Sequence, residues 1–251
     1  MHHIRMDALP PLPPLEAAKR AAARRAVDDY VRDGMRIGVG SGSTIVYAVQ
    51  RLGERAAGPE RLRVTCVPTS FQSRGLILDA GLTLSDLTAT PSLDVAIDGA
   101  DEVASTSLAC IKGGGGCQTQ EKLVAAAADV FVVVADSRKM SRDGALGVAW
   151  TAGVPVEVLP LAYATVSAAL RKLGGIPTLR MAVRKAGPVV TDNAGFVLDV
   201  DFGRIADPAP LHAAIKALPG VIETGLFVGL AKRAYFGMPD GSVEVWESER
   251  T

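Results

Sequence analysis

Three times in this chain an apolar run ends directly in glycines and polar side chains. The three patches are Gly38-Val39-Gly40-Ser41-Gly42-Ser43-Thr44, Asp98-Gly99-Ala100-Asp101-Glu102, and Lys112-Gly113-Gly114-Gly115-Gly116 with Glu121-Lys122 behind it. A strand that carries such residues at its C-terminal end is how an open α/β sheet builds a ligand crevice, so three of them imply one shared site. The periodicity between them agrees. Residues 16–32 repeat Ala18, Ala22, Ala26 and Tyr30 at a helical step and stop at Gly34. Residues 35–39 then read as a buried strand, 44–52 as a helix, 62–67 as a strand, and 71–80 as a helix closed by Gly81. Strands over 93–97, 108–111 and 130–134 follow, the last two separated by a helix over 119–128. This βα rhythm predicts a parallel sheet with helices on both faces.

The pattern changes after about residue 150, to a strand over 154–158, a helix over 161–173, and strands over 178–183 and 196–200 about a ladder at 189–191. A helix over 209–218 and a strand over 221–226 complete a split β-α-β order, with a turn at Asp192-Asn193-Ala194-Gly195. A hairpin over 234–236 and 243–246 around Pro239-Asp240-Gly241 is expected to return to the first sheet. The expected division is a disordered Pro-rich leader over 1–14, a main α/β domain over 15–149 and 228–251, and a small α+β domain over 150–227. The leader has no apolar core of the kind a signal peptide needs. With 27 basic and 27 acidic residues there is no field to attract a polyanion, and no apolar run is long enough for a bilayer. Nucleic acid and membrane are therefore not expected partners. Cys66, Cys110 and Cys117 form no CxxC pair, which argues against a disulfide framework or a zinc site and points to a reducing cytoplasm.

Each patch has two readings. The segment from Gly38 to Thr44 lacks the third glycine of a dinucleotide fingerprint and the Gly-Lys ending of a P-loop. Ser41, Gly42, Ser43 and Thr44 at a helix start suit a phosphate monoester, or else form an ordinary N-cap behind a tight turn. Asp98 and Asp101 around Gly99-Ala100 suit sugar hydroxyls or protons in transit, or else an Asx-type turn. A metal would want more ligands than Glu102, and His2, His3 and His212 lie far from every motif in sequence. Lys112 would set a cation where negative charge develops, and Gly113, Gly114 and Gly115 would bring backbone N–H groups to a ligand. The other reading is a solvated lysine on a flexible loop. Glu121, in the first turn of a helix that favours its ionised form, is a base if it meets the other patches and otherwise a partner of Thr119 or a surface charge. Cys117 has no histidine to activate it and reads as a small tolerated thiol.

Taken together, these motifs resemble ribose-5-phosphate isomerase of type A, as do Ala135-Asp136-Ser137-Arg138-Lys139, Pro155-Val156-Glu157-Val158, Lys172-Leu173-Gly174-Gly175, Val190-Thr191-Asp192-Asn193 and Pro219-Gly220-Val221. The resemblance covers nearly everything from Glu16 to Val245. It implies a cofactor-free, metal-free aldose–ketose isomerase with a Rossmann-like domain and a smaller ferredoxin-like α+β domain, assembled as a homodimer or homotetramer. The substrate would be a small sugar phosphate. By motif match Glu121 would be the base working through an enediolate, Lys112 would stabilise that intermediate, and Asp98 and Asp101 would hold hydroxyls and assist ring opening. Ser41, Gly42, Ser43, Thr44, Gly99, Ala100, Gly113, Gly114, Gly115 and Lys139 would bind substrate. Three departures stand out. Ser41 replaces the common threonine, Gly116-Cys117 replaces two alanines, and Arg20 falls where the family often has a first-helix lysine. The resemblance leaves two alternatives to test: a sugar-phosphate-sensing regulator, for which this chain has no DNA-reading module, and an amino-sugar-phosphate deaminase or acyl-CoA transferase, which needs other catalytic motifs.

Overall fold

The computed structural model describes residues 12–248. Most of the Pro-rich leader lies outside the described residues, and Pro14, placed in that leader by the sequence, already opens the first helix. In chain order the main elements are α1 (Pro14–Tyr30), β1 (Arg36–Val39), α2 (Ile45–Ala57), β2 (Thr65–Pro68), α3 (Phe71–Asp79), β3 (Thr83–Leu84), β4 (Leu93–Asp98), β5 (Glu102–Ala104), β6 (Cys110–Ile111), α4 (Gln118–Ala126), β7 (Ala128–Asp136) and β8 (Met140–Ser141). They are followed by β9 (Val154–Val158), α5 (Tyr163–Lys172), β10 (Ile176–Leu179), β11 (Phe196–Asp201), α6 (Pro208–Lys216), β12 (Val221–Thr224), β13 (Leu226–Phe227), β14 (Ala231–Gly237) and β15 (Val243–Glu247).

The central sheet has seven strands in the order β15-β14-β7-β4-β1-β2-β3, all neighbours parallel except the β14–β15 hairpin. Its inner strands are covered on both faces, which is why they read as apolar runs. In β7, Val132 and Val134 join a core with Ala22, Ala26 and Val27 of α1 and Ile45, Val49 and Leu52 of α2. Phe131, Val133 and Ala135, one residue out of phase, join a second core with Val124 and Ala125 of α4. A four-stranded antiparallel sheet, β10-β11-β9-β12, carries α5 and α6 on a third core around Val156, Val166, Leu198 and Ile215. Its order is that of a split β-α-β module.

The 108–111 run departs from expectation. β6 does not enter the parallel sheet but sits in a small separate sheet, β13-β6-β5-β8, pairing antiparallel with β5 and β13. The chain turns sharply at Leu108 (φ 52°), and β6 then runs back antiparallel against β5, which takes it out of the parallel sheet. The glycine run is thus brought to the crevice from the side rather than by a parallel strand.

Two glycines, one in β1 and one directly after it, set how closely the site is built. A methyl group on Gly38 would lie 2.4 Å from Val124 Cγ1 and 2.8 Å from Ala96 Cβ, so the glycine lets α4 rest directly on the sheet. A methyl on Gly40 would lie 2.0 Å from Asp98 Oδ1, so that glycine makes room for the carboxylate.

Candidate active site

The three patches meet. A cavity of about 220 Å³ is lined by Ser41, Gly42, Ser43, Thr44, Gly99, Ala100, Asp101, Lys112, Gly113, Gly114, Gly115, Glu121 and Lys139, all singled out by the sequence. At its centre Lys112, 2 % exposed, donates to the Gly99 carbonyl at 2.6 Å. Its Nζ also lies 3.0 Å from Asp98 Oδ2 and 3.2 Å from Glu121 Oε1. Burial disfavours the ammonium, but the carboxylates of Asp98 and Glu121 outweigh it and hold Lys112 above the usual lysine range.

Asp98 departs from expectation because it stands behind the wall rather than on it. Its Oδ1 accepts from the backbone N–H of Ser41 at 2.9 Å and of Gly99 at 2.7 Å, and its Oδ2 faces Lys112. With Oδ1 hydrogen-bonded to the backbone and Oδ2 buried beside the Lys112 ammonium, without a hydrogen-bond partner, Asp98 is placed to fix Lys112. Asp101 is the carboxylate on the wall, and its Oδ2 accepts from Gly114 N–H at 2.7 Å.

Glu121 caps nothing. Thr119 instead donates to Glu157, and Glu121 Oε2 is buried with no hydrogen-bond partner. Burial pushes its carboxyl up to about 8, with the Asp98 charge adding and Lys112 opposing. Burial therefore outweighs the helix start that was expected to keep it ionised. A buried carboxyl in a cavity wall, with one oxygen beside an ammonium and the other lacking a hydrogen-bond partner, can accept a proton from a bound molecule.

Ser41 Oγ pairs with Thr69 Oγ1 at 2.8 Å and donates to Ser70 Oγ at 2.7 Å, where Ser70 caps α3 in a capping box with Ser73. Its hydroxyl thus ties the loop to α3. Gly42, at φ 98°, takes a conformation that favours glycine and donates to Gln72 Oε1 at 2.8 Å. Gly116, at φ 77°, likewise suits the left-handed turn where the alanine of relatives was expected.

The first-helix cation is Lys19, not Arg20. Lys19 lines the cavity, donates to Ser43 Oγ at 3.0 Å, and is paired at 2.8 Å with Glu16, while Arg20 points to solvent. The signal was present, since Lys19 falls on the same helix face as Ala22, Ala23 and Ala26, where a solvated lysine has no place. Asp136 and Arg138 also line the cavity and were not assigned a role from sequence. The Asp136-Ser137-Arg138-Lys139 run, placed where the apolar β7 ends, repeats the signal that found the other patches. Among the described residues no three His, Cys, Asp or Glu side chains form a metal-binding group.

The comparisons with known proteins converge on one family. The model of ribose 5-phosphate isomerase A (phosphoriboisomerase A) matches residues 65–241. The ribose-5-phosphate isomerase of Homo sapiens is 56% identical over 233 residues, covering 92% of this chain and 74% of that protein. That of Dictyostelium discoideum is 53% identical over 234 residues, covering 92% and 98%. Among solved structures, ribose 5-phosphate isomerase A from Methanocaldococcus jannaschii superposes with a TM-score of 0.86 at 40% identity, covering 93% of this chain and 99% of that one. A D-ribose-5-phosphate isomerase in complex with phospho-erythronic acid gives 0.87 at 36% identity with the same coverage. With this cavity, this fold and these relatives, the chain belongs to the ribose 5-phosphate isomerase A family.

Proposed function

We propose that Glu121 is the base, and Lys112 the fixed cation, of the ribose 5-phosphate to ribulose 5-phosphate interconversion that this chain catalyses as a member of its family. The observation that carries this assignment is the buried Glu121 carboxyl at the cavity wall, with Lys112 Nζ 3.2 Å from Oε1 and with Oε2 left without a hydrogen-bond partner. In the open-chain aldose, the Glu121 carboxylate takes the C2 proton. The C–H electron pair forms the C1–C2 double bond, and the C1 carbonyl oxygen becomes the negative end of an enediolate. Lys112 neutralises that charge without having to move. Glu121 then returns the proton to C1 as the O2 proton passes to O1, so that C2 becomes the carbonyl and C1 carries the hydroxyl. Asp101, on the wall, holds hydroxyls and assists ring opening, and Asp98 holds Lys112. Lys19, Ser43, Thr44 and Lys139 form a cationic and hydroxyl-rich end suited to the phosphate. A structural relative holds phospho-erythronic acid, whose planar carboxylate has the shape and charge of an enediolate, which supports this reading.

We also propose a cytoplasmic homodimer or homotetramer. Free thiols at Cys66, Cys110 and Cys117 support the reducing compartment, and the exposed Leu161, Ile176 and Val183 support contact between copies.

Glu121→Gln keeps the shape and removes the proton acceptor. The kcat should fall by roughly 10²–10⁴-fold with substrate affinity changed far less, and C–H exchange from deuterated water, followed by NMR, should fall with it. Near-normal exchange in the variant would move the base to Asp101.

A further inference from the structure

The glycine loop of the cavity is gripped from outside the parallel sheet. Arg180, just past β10, donates through Nη1 to the carbonyls of Gly113 at 3.1 Å and Gly114 at 3.2 Å. Its Nε donates to Asp199 Oδ2 at 2.8 Å and its Nη2 to Asp199 Oδ1, so a two-point ion pair from β11 braces the guanidinium. Arg180 does not line the cavity.

The loop has little to hold it otherwise. Gly113 (φ 101°) and Gly116 (φ 77°) are both left-handed, and the turn's internal bond is Gly116 N–H to the Gly113 carbonyl at 2.9 Å. Four consecutive glycines have many alternative conformations of similar energy. A trans peptide points its carbonyl and the following N–H in opposite directions. Holding the Gly113 carbonyl at Arg180 therefore turns Gly114 N–H the other way, where it meets Asp101 Oδ2 at 2.7 Å. The same geometry turns Gly115 N–H away from Arg180. Among the described residues that N–H has no protein acceptor, and Gly115 lines the cavity.

We propose that Arg180 is a positioning residue for the isomerisation, orienting the peptide planes of the glycine loop so that Gly115 N–H is offered to substrate on the Asp101 side. The inference rests on the isomerase reading of the cavity. It assigns to a residue just past β10, beside the β10-β11-β9-β12 sheet, a function in the parallel sheet's site, and it predicts damage at the reacting end of the substrate with the phosphate end spared.

The test compares Arg180→Gln and Arg180→Lys with the unmodified protein, using calorimetric binding of phospho-erythronic acid and of inorganic phosphate beside steady-state rates. Arg180→Gln should lose about tenfold or more both in kcat and in affinity for phospho-erythronic acid, and keep its phosphate affinity within about twofold. Arg180→Lys, which retains one donor, should fall between. A lower melting temperature with unchanged affinities and kcat, or an equal loss for both ligands, would overturn the proposal. If Arg180→Gln does not fold, Asp199→Asn, which removes the brace and keeps the guanidinium, carries the same comparison. Failure of the unmodified protein to bind phospho-erythronic acid would overturn the cavity reading and this inference together. Binding by the unmodified protein and the variant alike would overturn this inference alone.

Discussion

Glu121 and Lys112 are each unfavourable alone in so buried a place, and each moderates the other. Burial and Asp98 push Glu121 up to about 8, and Lys112 is the charge that restrains it. Only the ionised fraction can take a proton from carbon, so kcat/KM should rise about tenfold per pH unit on the acid side and level off above about pH 8. Lys112→Met removes the restraint, so in addition to a lower plateau the rising limb should move to higher pH. A limb that stays in place in rate profiles from about pH 6 to about pH 10 would show that another group governs Glu121. Cys117, beside the glycine loop, invites the idea of a thiol-sensitive enzyme, but the structure argues against it. Burial pushes that thiol up to about 12, with the Glu121 charge adding, and a thiolate fraction on the order of one in ten thousand near pH 8 reacts slowly. Iodoacetamide treatment that consumes an exposed model thiol should leave turnover intact. Inactivation that ribose 5-phosphate prevents would contradict this.

At the scale of elements, the site depends on α4 lying close against β1. Gly38→Ala places a methyl 2.4 Å from Val124 Cγ1, so strand and helix must part, at a cost of about 1–3 kcal/mol. Because Glu121 sits one turn before Val124 on α4, activity should fall along with the melting temperature. Shortening the opposing side chain in Gly38→Ala/Val124→Ala should recover part of both, and a double variant no better than the single would show that the contact is not what seats the helix. The parallel strands were legible because burial on both faces leaves them almost wholly apolar, as in β7. The short strands were not. β5, β6, β8 and β13 are two or three residues long, too few for any period to show, and that is why 108–111 reads as one more parallel strand when it lies in a separate sheet.

For the whole molecule, the motifs named most of the residues of the cavity, missing Lys19, Asp136 and Arg138, but not the division of labour among them. That Asp98 faces inward and Asp101 outward, and that Lys19 rather than Arg20 reaches Ser43, are facts of side-chain direction that appear only once α1, β1 and β4 are packed together. Packing also gives the site a measurable stability signature. The folded Glu121 titrates near 8 and the unfolded residue near the ordinary carboxyl value of 4.5, so the folded chain binds the extra proton between those values. Its contribution is fully present below about pH 4.5 and is lost as pH rises through about 8. Lys122 runs the other way, because burial lowers it from 10.5 to about 8, so folding gains from it as pH rises through that window. The two act in adjacent windows, Glu121 below about pH 8 and Lys122 above it, so a comparison that reaches pH 9 needs a difference between variants to isolate Glu121. Glu121→Gln, which cannot ionise, should match the intact protein near pH 5 and become more stable than it by about pH 9, by on the order of a few kcal/mol. Urea unfolding of both proteins at the two pH values reads this directly. A stability difference that does not change with pH would mean that Glu121 is ionised throughout, and that the catalytic limb near pH 8 belongs to a different group.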